Sequence, residues 1–205
     1  LRSFTRNCAN ELKKAIMNLK KEQDLEGLIL DLRNNPGGLL NESVDITNLF
    51  IEKGEEVVST KGKIKSWDKT YIANKKPLDL TLPLVVLINS SSASASEIVS
   101  GSIQDLDRGI IVGQRSYGKG LVQQTRKLSY NSQLKLTVAK YYIPSGRCIQ
   151  ALDYSNRNED GSVGKVVDSL MGLFKTRNGR QVKDGGGILP DIIVESEKYG
   201  MIIIS

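Results

Sequence analysis

The spacing of apolar residues changes along the chain between a helical period and short continuous runs. From about Asn10 to Lys21 apolar residues recur at helical spacing with lysines on the other side, which predicts an amphipathic helix. The continuous run Gly27–Leu32 is typical of a strand buried on both faces. A dense turn signal at Arg33–Gly38 and a second helical pattern from Val44 to Ile51 follow. This order of elements indicates an α/β layer.

The same alternation continues through the middle of the chain. Residues from Glu55 to about Ile72 mix short β-like runs with Lys and Gly turns and predict a hairpin or peripheral strands. Leu84–Ile88 is predicted as a second buried strand, ending in the small-residue run Ser90–Ser96. A helix is expected from near Glu97 to Gln104, followed by a third apolar strand at Ile110–Gly113.

The last third of the chain predicts shorter β elements. Gln133 to Val138 alternates polar and apolar residues as a half-exposed strand should. A polar excursion runs from Asp153 to about Gly164, and the glycine cluster Gly185–Gly187 precedes a short strand at Asp191–Val194. We therefore expect an α/β core with a smaller β-rich C-terminal part.

Length and composition are those of one globular domain. The chain has 205 residues, of which 39% are hydrophobic and 25% charged, and this size allows a substantial core. We expect a single domain over residues 1–205, with no run approaching the roughly 20 apolar residues of a spanning helix. The charged start without a signal peptide and the apolar end Met201–Ser205 lead us to expect a core excised from a longer protein.

The net charge and the cysteine spacing limit the kinds of partner and metal site that we expect. The net charge of +6 comes from basic residues spread along the chain, so we expect no dedicated nucleic-acid surface. Cys8 and Cys148 lie far apart and form neither a CxxC redox pair nor a zinc half-site. They are interpreted as two unrelated thiols.

The chain contains no histidine. Ser-His-Asp and Cys-His hydrolases and HExxH zinc proteases are therefore excluded. If the protein is a hydrolase, its general base must be Lys, Asp, Glu or Tyr.

Two segments could supply a nucleophile and an oxyanion hole. The Ser90–Ser96 run lies where a buried strand is expected to turn into a helix, a corner that exposes a serine oxygen beside free N–H groups. Gly37 and Gly38 follow the first strand and could aim N–H groups into a cleft. An ordinary helix cap in the first case and a helix-entry turn in the second remain open from the pattern alone.

The segment GQRSYGKG, residues 113–120, admits two functions. It matches the GxxxxGK string of a phosphate-binding loop, but that loop requires Ser or Thr after the lysine and a following helix, whereas Gly120 and a β-like run follow here. Lys119 could instead be a general base, which requires a lysine pKa lowered from about 10.4 by burial or a nearby positive charge. A desolvated position is compatible with its flanking glycines, and a solvated turn lysine is the alternative.

Five sequence blocks occur in order along the chain: DLRNNPGGL at 31–39, SASASEI at 92–98, YGKG at 117–120 with Gln123, YIPSGR at 142–147 and GGILPD at 186–191. Together they closely resemble the signatures of bacterial C-terminal processing (tail-specific) proteases, which are Ser-Lys dyad serine peptidases. They span almost the whole chain, and the missing histidine agrees independently with a Ser-Lys mechanism.

The resemblance implies specific roles. Ser94 would be the nucleophile, Lys119 the general base and Gln123 the residue that orients the lysine amine, with Gly38 and Ala95 donating the oxyanion-hole N–H groups. Sequence physics alone does not separate Ser94 from the serines on either side. No metal or organic cofactor is implied.

The resemblance also implies a fold and a setting. The expected core is a curved mixed β-sheet flanked by helices, similar to crotonase and Clp protease. Its substrate would be a protein or peptide, cleaved near an unstructured C-terminal tail in the bacterial cell envelope or periplasm, with oligomers possible. The family usually carries a PDZ domain before the core, and none is expected here, so an inactive peptide-binding module of the same fold remains the alternative. A phosphate-loop nucleotide hydrolase is a third hypothesis.

Overall fold

The computed structural model describes residues 1–195, apart from the side chains of residues 155, 156 and 168. The apolar run predicted at 201–205 therefore lies outside the described residues. The helices are α1 Cys8–Glu22, α2 Leu40–Asn48 and α3 Ala95–Asp105, with short 3₁₀ turns at Lys65–Trp67 and Asp168–Leu170. The strands are β1 Leu28–Asp31, β2 Glu56–Gly62, β3 Lys69–Ile72, β4 Leu84–Ile88, β5 Ile110–Gly113, β6 Leu121–Lys127, β7 Gln133–Tyr142, β8 Leu152–Arg157, β9 Val163–Lys165, β10 Leu173–Lys175, β11 Gln181–Lys183 and β12 Ile192–Ile193.

A parallel sheet in the order β1-β4-β5-β12 forms the centre of the α/β layer. Leu30, Val86 and Ile111 lie in register across its first three strands and are buried. Helix α3 packs against α2, and every residue of α3 is buried. The predicted α/β class is thus confirmed, and the other strands form a second four-stranded sheet and two separate hairpins.

The prediction that the Gly27–Leu32 strand is buried on both faces was wrong. Ile29, Val85 and Ile110 form the neighbouring row on the opposite face, where Ile29 is 65% exposed and Ile110 is 42% exposed. Continuous apolar strands arise because parallel sheets normally have cover on both sides. Within residues 1–195, the second face of this sheet has no such cover.

The second sheet is antiparallel, in the order β3-β2-β7-β6. It confirms the hairpin predicted between Glu55 and Ile72, and its β6–β7 hairpin extends away from the core. Residues 133–137 are all exposed, so the half-exposed strand predicted from Gln133 to Val138 has no buried face over that stretch. Ser102 Oγ on α3 donates to the carbonyl of Val57 on β2 at 2.8 Å and so joins this helix to the second sheet.

The C-terminal part consists of the β8–β9 and β10–β11 hairpins before β12 returns to the parallel sheet beside β5. The polar excursion expected from Asp153 to Gly164 thus contains a hairpin. A buried ion pair holds this part to the core, with Arg147 Nη2 at 2.8 Å from Asp105 Oδ1 at the end of α3. No helix in residues 1–195 combines the length and apolar character needed to cross a bilayer.

Candidate active site

Ser94 occupies a sharp corner between the end of β4 and the start of α3. Its backbone has φ 56° and ψ −114°, a sparsely populated combination for a residue with a side chain. Such strain persists only where the surroundings enforce it, and it is common at functional sites. Gly37, with φ 98°, packs so closely that a Cβ there would lie 2.6 Å from the Ala93 carbonyl oxygen and 2.8 Å from Ser94 Cβ.

The structure separates the three central serines of the small-residue run. Ser92 Oγ donates to the carbonyl of Leu32 at 2.8 Å, and Ser96 Oγ donates to the carbonyl of Asn35 at 2.9 Å, and both serines are buried. Ser94 is only partly buried. The two neighbours are structural hydrogen-bond donors, so Ser94 is the serine that a ligand can reach.

Two backbone N–H groups lie free beside this corner. Within the described chain, neither Gly38 N–H nor Ala95 N–H donates a hydrogen bond, although the neighbouring Leu39 N–H donates to the carbonyl of Phe4 at 2.8 Å. Ala95 is the first residue of α3, where helical N–H groups have no internal partner. A Cβ on Gly38 would meet the Phe4 carbonyl oxygen at 2.3 Å, so only glycine fits there. Free N–H groups in such a position can stabilise an oxyanion.

Glu97 joins the Ser94 corner to the loop that carries Lys119. Its Oε2 accepts from Ser94 N–H at 2.8 Å and from Lys119 N–H at 2.9 Å. Its Oε1 accepts from Ser116 Oγ at 2.5 Å and from Gly118 N–H at 2.6 Å. The backbones of Ser94 and Lys119 are therefore neighbours across one oxygen atom, although 25 residues of sequence separate their positions.

The Glu97 carboxyl is fully buried, and its electrostatics reflect opposing effects. Burial raises the pKa of Glu97 above its ordinary value, and the hydrogen bonds from Ser116, Lys119, Gly118 and Ser94 lower it. Sequence reasoning missed this residue as a connector. The available signal was the Ser-x-x-Glu spacing of a capping box at Ser94 and Glu97, whose glutamate also reaches a distant loop here.

Lys119 is held by its backbone, and its side chain is free. Its N–H donates to Glu97, and its carbonyl accepts from the hydroxyl of Tyr141. The pKa of Tyr141 is raised by burial and, to a smaller extent, by the Glu97 charge, whereas the hydrogen bond with the Ser94 side chain lowers it. The Lys119 side chain is exposed, so the desolvated position considered from the sequence is not the one observed. In residues 1–195 its amine forms no hydrogen bond or ion pair, including none to Ser94 Oγ. Gln123, on β6, is exposed as well.

The phosphate-loop hypothesis for residues 113–120 fails on structure. The segment after Lys119 continues through Gly120 into strand β6, where a phosphate loop needs a helix. Gly118 N–H and Lys119 N–H, which would face a phosphate, donate to Glu97. As for metals, no three His, Cys, Asp or Glu side chains in the described part of the chain are grouped to hold an ion.

A partly exposed serine at a strained strand-to-helix corner, with two free N–H groups beside it, is the arrangement found in α/β proteins that perform acyl transfer. Comparison with known sequences narrows this class. Residues 1–158 match peptidase family S41, and the chain belongs to that family.

Individual relatives support this family assignment. The chain is 43% identical over 152 residues to a carboxy-terminal-processing protease of Bartonella bacilliformis, covering 73% of this chain and 35% of that protein. It is 40% identical over 117 residues to carboxyl-terminal-processing peptidase 1, chloroplastic, of Arabidopsis thaliana, covering 57% of this chain and 24% of that one. The chain thus spans about a third or less of these curated relatives.

The fold is likewise similar to a solved relative. The structure of the photosystem II D1 C-terminal processing protease superposes with a TM-score of 0.71 and 29% identity, over 95% of this chain and 41% of that chain. The resemblance inferred from the five sequence blocks is confirmed at the level of family and fold.

Proposed function

We propose that this chain is the catalytic core of a serine endopeptidase in which Ser94 is the nucleophile and Lys119 the general base. The observation that carries the proposal is the strained, partly exposed Ser94 corner beside the free N–H groups of Gly38 and Ala95, with the Lys119 backbone joined to it through Glu97. The family membership supports the same reaction class.

The chemistry follows from these positions. Lys119 Nζ, as the neutral amine, takes the proton of Ser94 Oγ while that oxygen bonds to the carbonyl carbon of the scissile peptide. The resulting oxyanion accepts hydrogen bonds from Gly38 and Ala95 N–H. When the C–N bond breaks, the lysine returns the proton to the departing nitrogen, and water then hydrolyses the serine ester. Gln123 is proposed to orient the amine without a charge that would favour the ammonium form.

This mechanism requires the Lys119 side chain to leave solvent and approach Ser94. Because Lys119 N–H and Ser94 N–H share Glu97 Oε2, the movement proposed is rotation about the lysine side-chain bonds. A bound substrate would cover the amine and favour its neutral form.

A fluorophosphonate probe tests the proposal directly, because it reacts with activated serines. The wild-type chain should be labelled, and Ser94→Ala should not. The matched control is Ser91→Ala, which removes an exposed hydroxyl from the same turn and should label as wild type. Labelling of Ser94→Ala at the wild-type rate would overturn the assignment of the nucleophile.

Lysine substitutions test the base. Lys119→Ala should abolish labelling, and Lys119→Arg should not restore it, because a guanidinium does not act as a base. Lys127→Ala, which removes an exposed lysine at the end of β6, is the control. Full labelling of either Lys119 variant would remove the lysine from the mechanism.

A second candidate is a peptide-binding module of the same fold without turnover, which the exposed, unpartnered Lys119 amine favours. It predicts that neither wild type nor any variant is labelled, while peptides still bind.

For the peptidase, we propose substrates cleaved near their C-terminal ends, in keeping with the names of the relatives, and action in the bacterial cell envelope. No metal or organic cofactor enters the proposed reaction.

A further inference from the structure

A groove of about 920 Å³ opens beside the strand that carries Gln123. Five cations line it, and we call it the basic groove: Lys61, Lys63, Lys65, Lys140 and Arg157. Two carboxylates, Asp153 and Asp184, line it as well, and Asp184 Oδ1 already accepts from Gly172 N–H at 2.6 Å. The groove is therefore positively charged in a protein whose basic residues are otherwise spread along the chain.

The sheet register brings two of these lysines together. Lys61 on β2 and Lys140 on β7 are directly opposite each other, so their side chains share one face of the sheet. Like charges in directly opposite positions are destabilising. Lys63 follows two residues after Lys61 and adds a third charge at the same end of the sheet.

Three of the five cations have no carboxylate partner in the described residues. In the described ranges, Lys61, Lys63 and Lys140 form no ion pair with a carboxylate, and Lys65 lies 3.7 Å from Asp68. The Lys61 amine lies 5.1 Å from the centre of the Tyr142 ring, a cation–π contact that positions it without removing its charge. A bound anion would relieve the repulsion.

The position of the groove indicates which anion. Leu121 and Gln123 form part of its wall, so the groove begins at the strand that follows Lys119. Its volume is at the upper end of the usual range for ligand sites, about 300–1,000 Å³, which suits several residues of an extended chain. Because Gln123 on this wall is the residue proposed to orient the Lys119 amine, a polypeptide with its scissile bond at Ser94 could extend into the groove.

We propose that the basic groove binds an acidic stretch of the polypeptide substrate, so that the enzyme prefers chains with Asp or Glu side chains near the cleaved bond. The inference rests on the proposed peptidase function for its biological meaning, and on the charges and register of the groove for its chemistry. Lys61 and Lys140 are thus specificity-determining residues.

Peptide binding to the 205-residue Ser94→Ala chain tests the proposal without requiring turnover. Three fluorescent peptides of equal length, acetylated and amidated to remove terminal charges, would carry Glu, Gln or Lys at the same positions. By fluorescence anisotropy, the Glu peptide should bind roughly ten-fold tighter than the Gln peptide, because each partly exposed ion pair adds a modest amount. The preference should shrink at high NaCl concentration.

Matched variants locate the effect. Lys61→Gln/Lys140→Gln should remove the preference for Glu, whereas Lys13→Gln/Lys14→Gln, which removes two exposed charges from α1, should keep it. Thermal unfolding of both double variants checks that they fold, and the single variants Lys61→Gln and Lys140→Gln replace the pair if it does not.

Several outcomes would overturn the inference. These are equal binding of the Glu and Gln peptides, equal loss of preference in the α1 control, or tighter binding of a short duplex DNA than of the Glu peptide. Labelling of Ser94 by the fluorophosphonate separates the two proposals. If Ser94 is labelled but the Glu and Gln peptides bind equally, only the groove assignment fails. If Ser94 is not labelled while the Glu peptide binds selectively, only the peptidase assignment fails.

Discussion

Ser94 and Lys119 belong to parts of the molecule that are built in different ways. The Ser94 corner lies between the parallel sheet and α3, a helix in which every residue is buried, and its strained backbone is enclosed by Gly37 and Ala93. Lys119 precedes the β6–β7 hairpin, where residues 123–137 are exposed. The proposed nucleophile is thus fixed by packing, whereas the side chain of the proposed base is free to move.

Glu97 is the link between these two parts. It accepts hydrogen bonds from the backbones of both, so it holds the loop of Lys119 beside the corner while leaving the lysine side chain unconstrained. Substitutions around the corner should therefore affect both folding and activity. Those at exposed positions of the hairpin should leave the free energy of unfolding nearly unchanged.

The largest effect is expected for Glu97→Ala. It leaves four buried or partly buried donors without an acceptor, and we expect the free energy of unfolding to fall by about 3–5 kcal/mol with loss of fluorophosphonate labelling. Urea unfolding measures the first and gel fluorescence the second. The exposed Glu52→Ala is the control. Wild-type stability in Glu97→Ala would show that the two parts do not depend on this carboxylate.

A pair of glycine substitutions tests the rigidity of the corner. Gly37→Ala and Gly54→Ala place alanine at nearly the same backbone angle, φ 98° and φ 99°, but only Gly37 has neighbours within contact of the new Cβ. We expect Gly37→Ala to destabilise the protein by about 1–3 kcal/mol more than Gly54→Ala. Labelling should be lost only in Gly37→Ala. Equal unfolding free energies in urea would mean that the corner relaxes easily.

Tyr141→Phe tests the other backbone contact of Lys119. It removes the hydroxyl that donates to the Lys119 carbonyl, so we expect a loss of about 1 kcal/mol in unfolding free energy and slower labelling. Tyr71→Phe, on strand β3, should change neither quantity by as much. If the two variants behave alike, the Tyr141 hydroxyl does not position the loop.

The smallest effect on stability is expected on the hairpin itself. Gln123→Ala and Gln124→Ala alter adjacent exposed residues of β6, and each should change the unfolding free energy by no more than about 0.5 kcal/mol. If Gln123 orients the lysine amine, only its variant should slow labelling, by about ten-fold or more. Equal labelling rates in the two variants would contradict that role.

Much of the fold could be predicted from local patterns. The helical period of α1, the continuous runs of β1, β4 and β5 and the turn residues between them are local properties, and they placed these elements correctly. The exposure of Ile29 and Ile110 could not be predicted, because an apolar strand has the same sequence whether or not its second face is covered within this chain. The helix α3 began at Ala95, two residues before the expected Glu97, because the strained corner completes its turn at Ser94.

Part of the proposed active site could likewise be predicted from the sequence, and part depended on the tertiary structure. The absence of histidine and the order of the five blocks are properties of the sequence alone, and they restricted the chemistry to a lysine, carboxylate or tyrosine base and indicated the family. Tertiary structure decided which of these three serines is available, because Ser92 and Ser96 donate to carbonyls in the segment that follows β1. It also decided that Glu97 joins two segments distant in sequence and that Lys61 and Lys140 face each other. Contacts of this kind depend on register and burial across the whole chain, and no local pattern of residues encodes them.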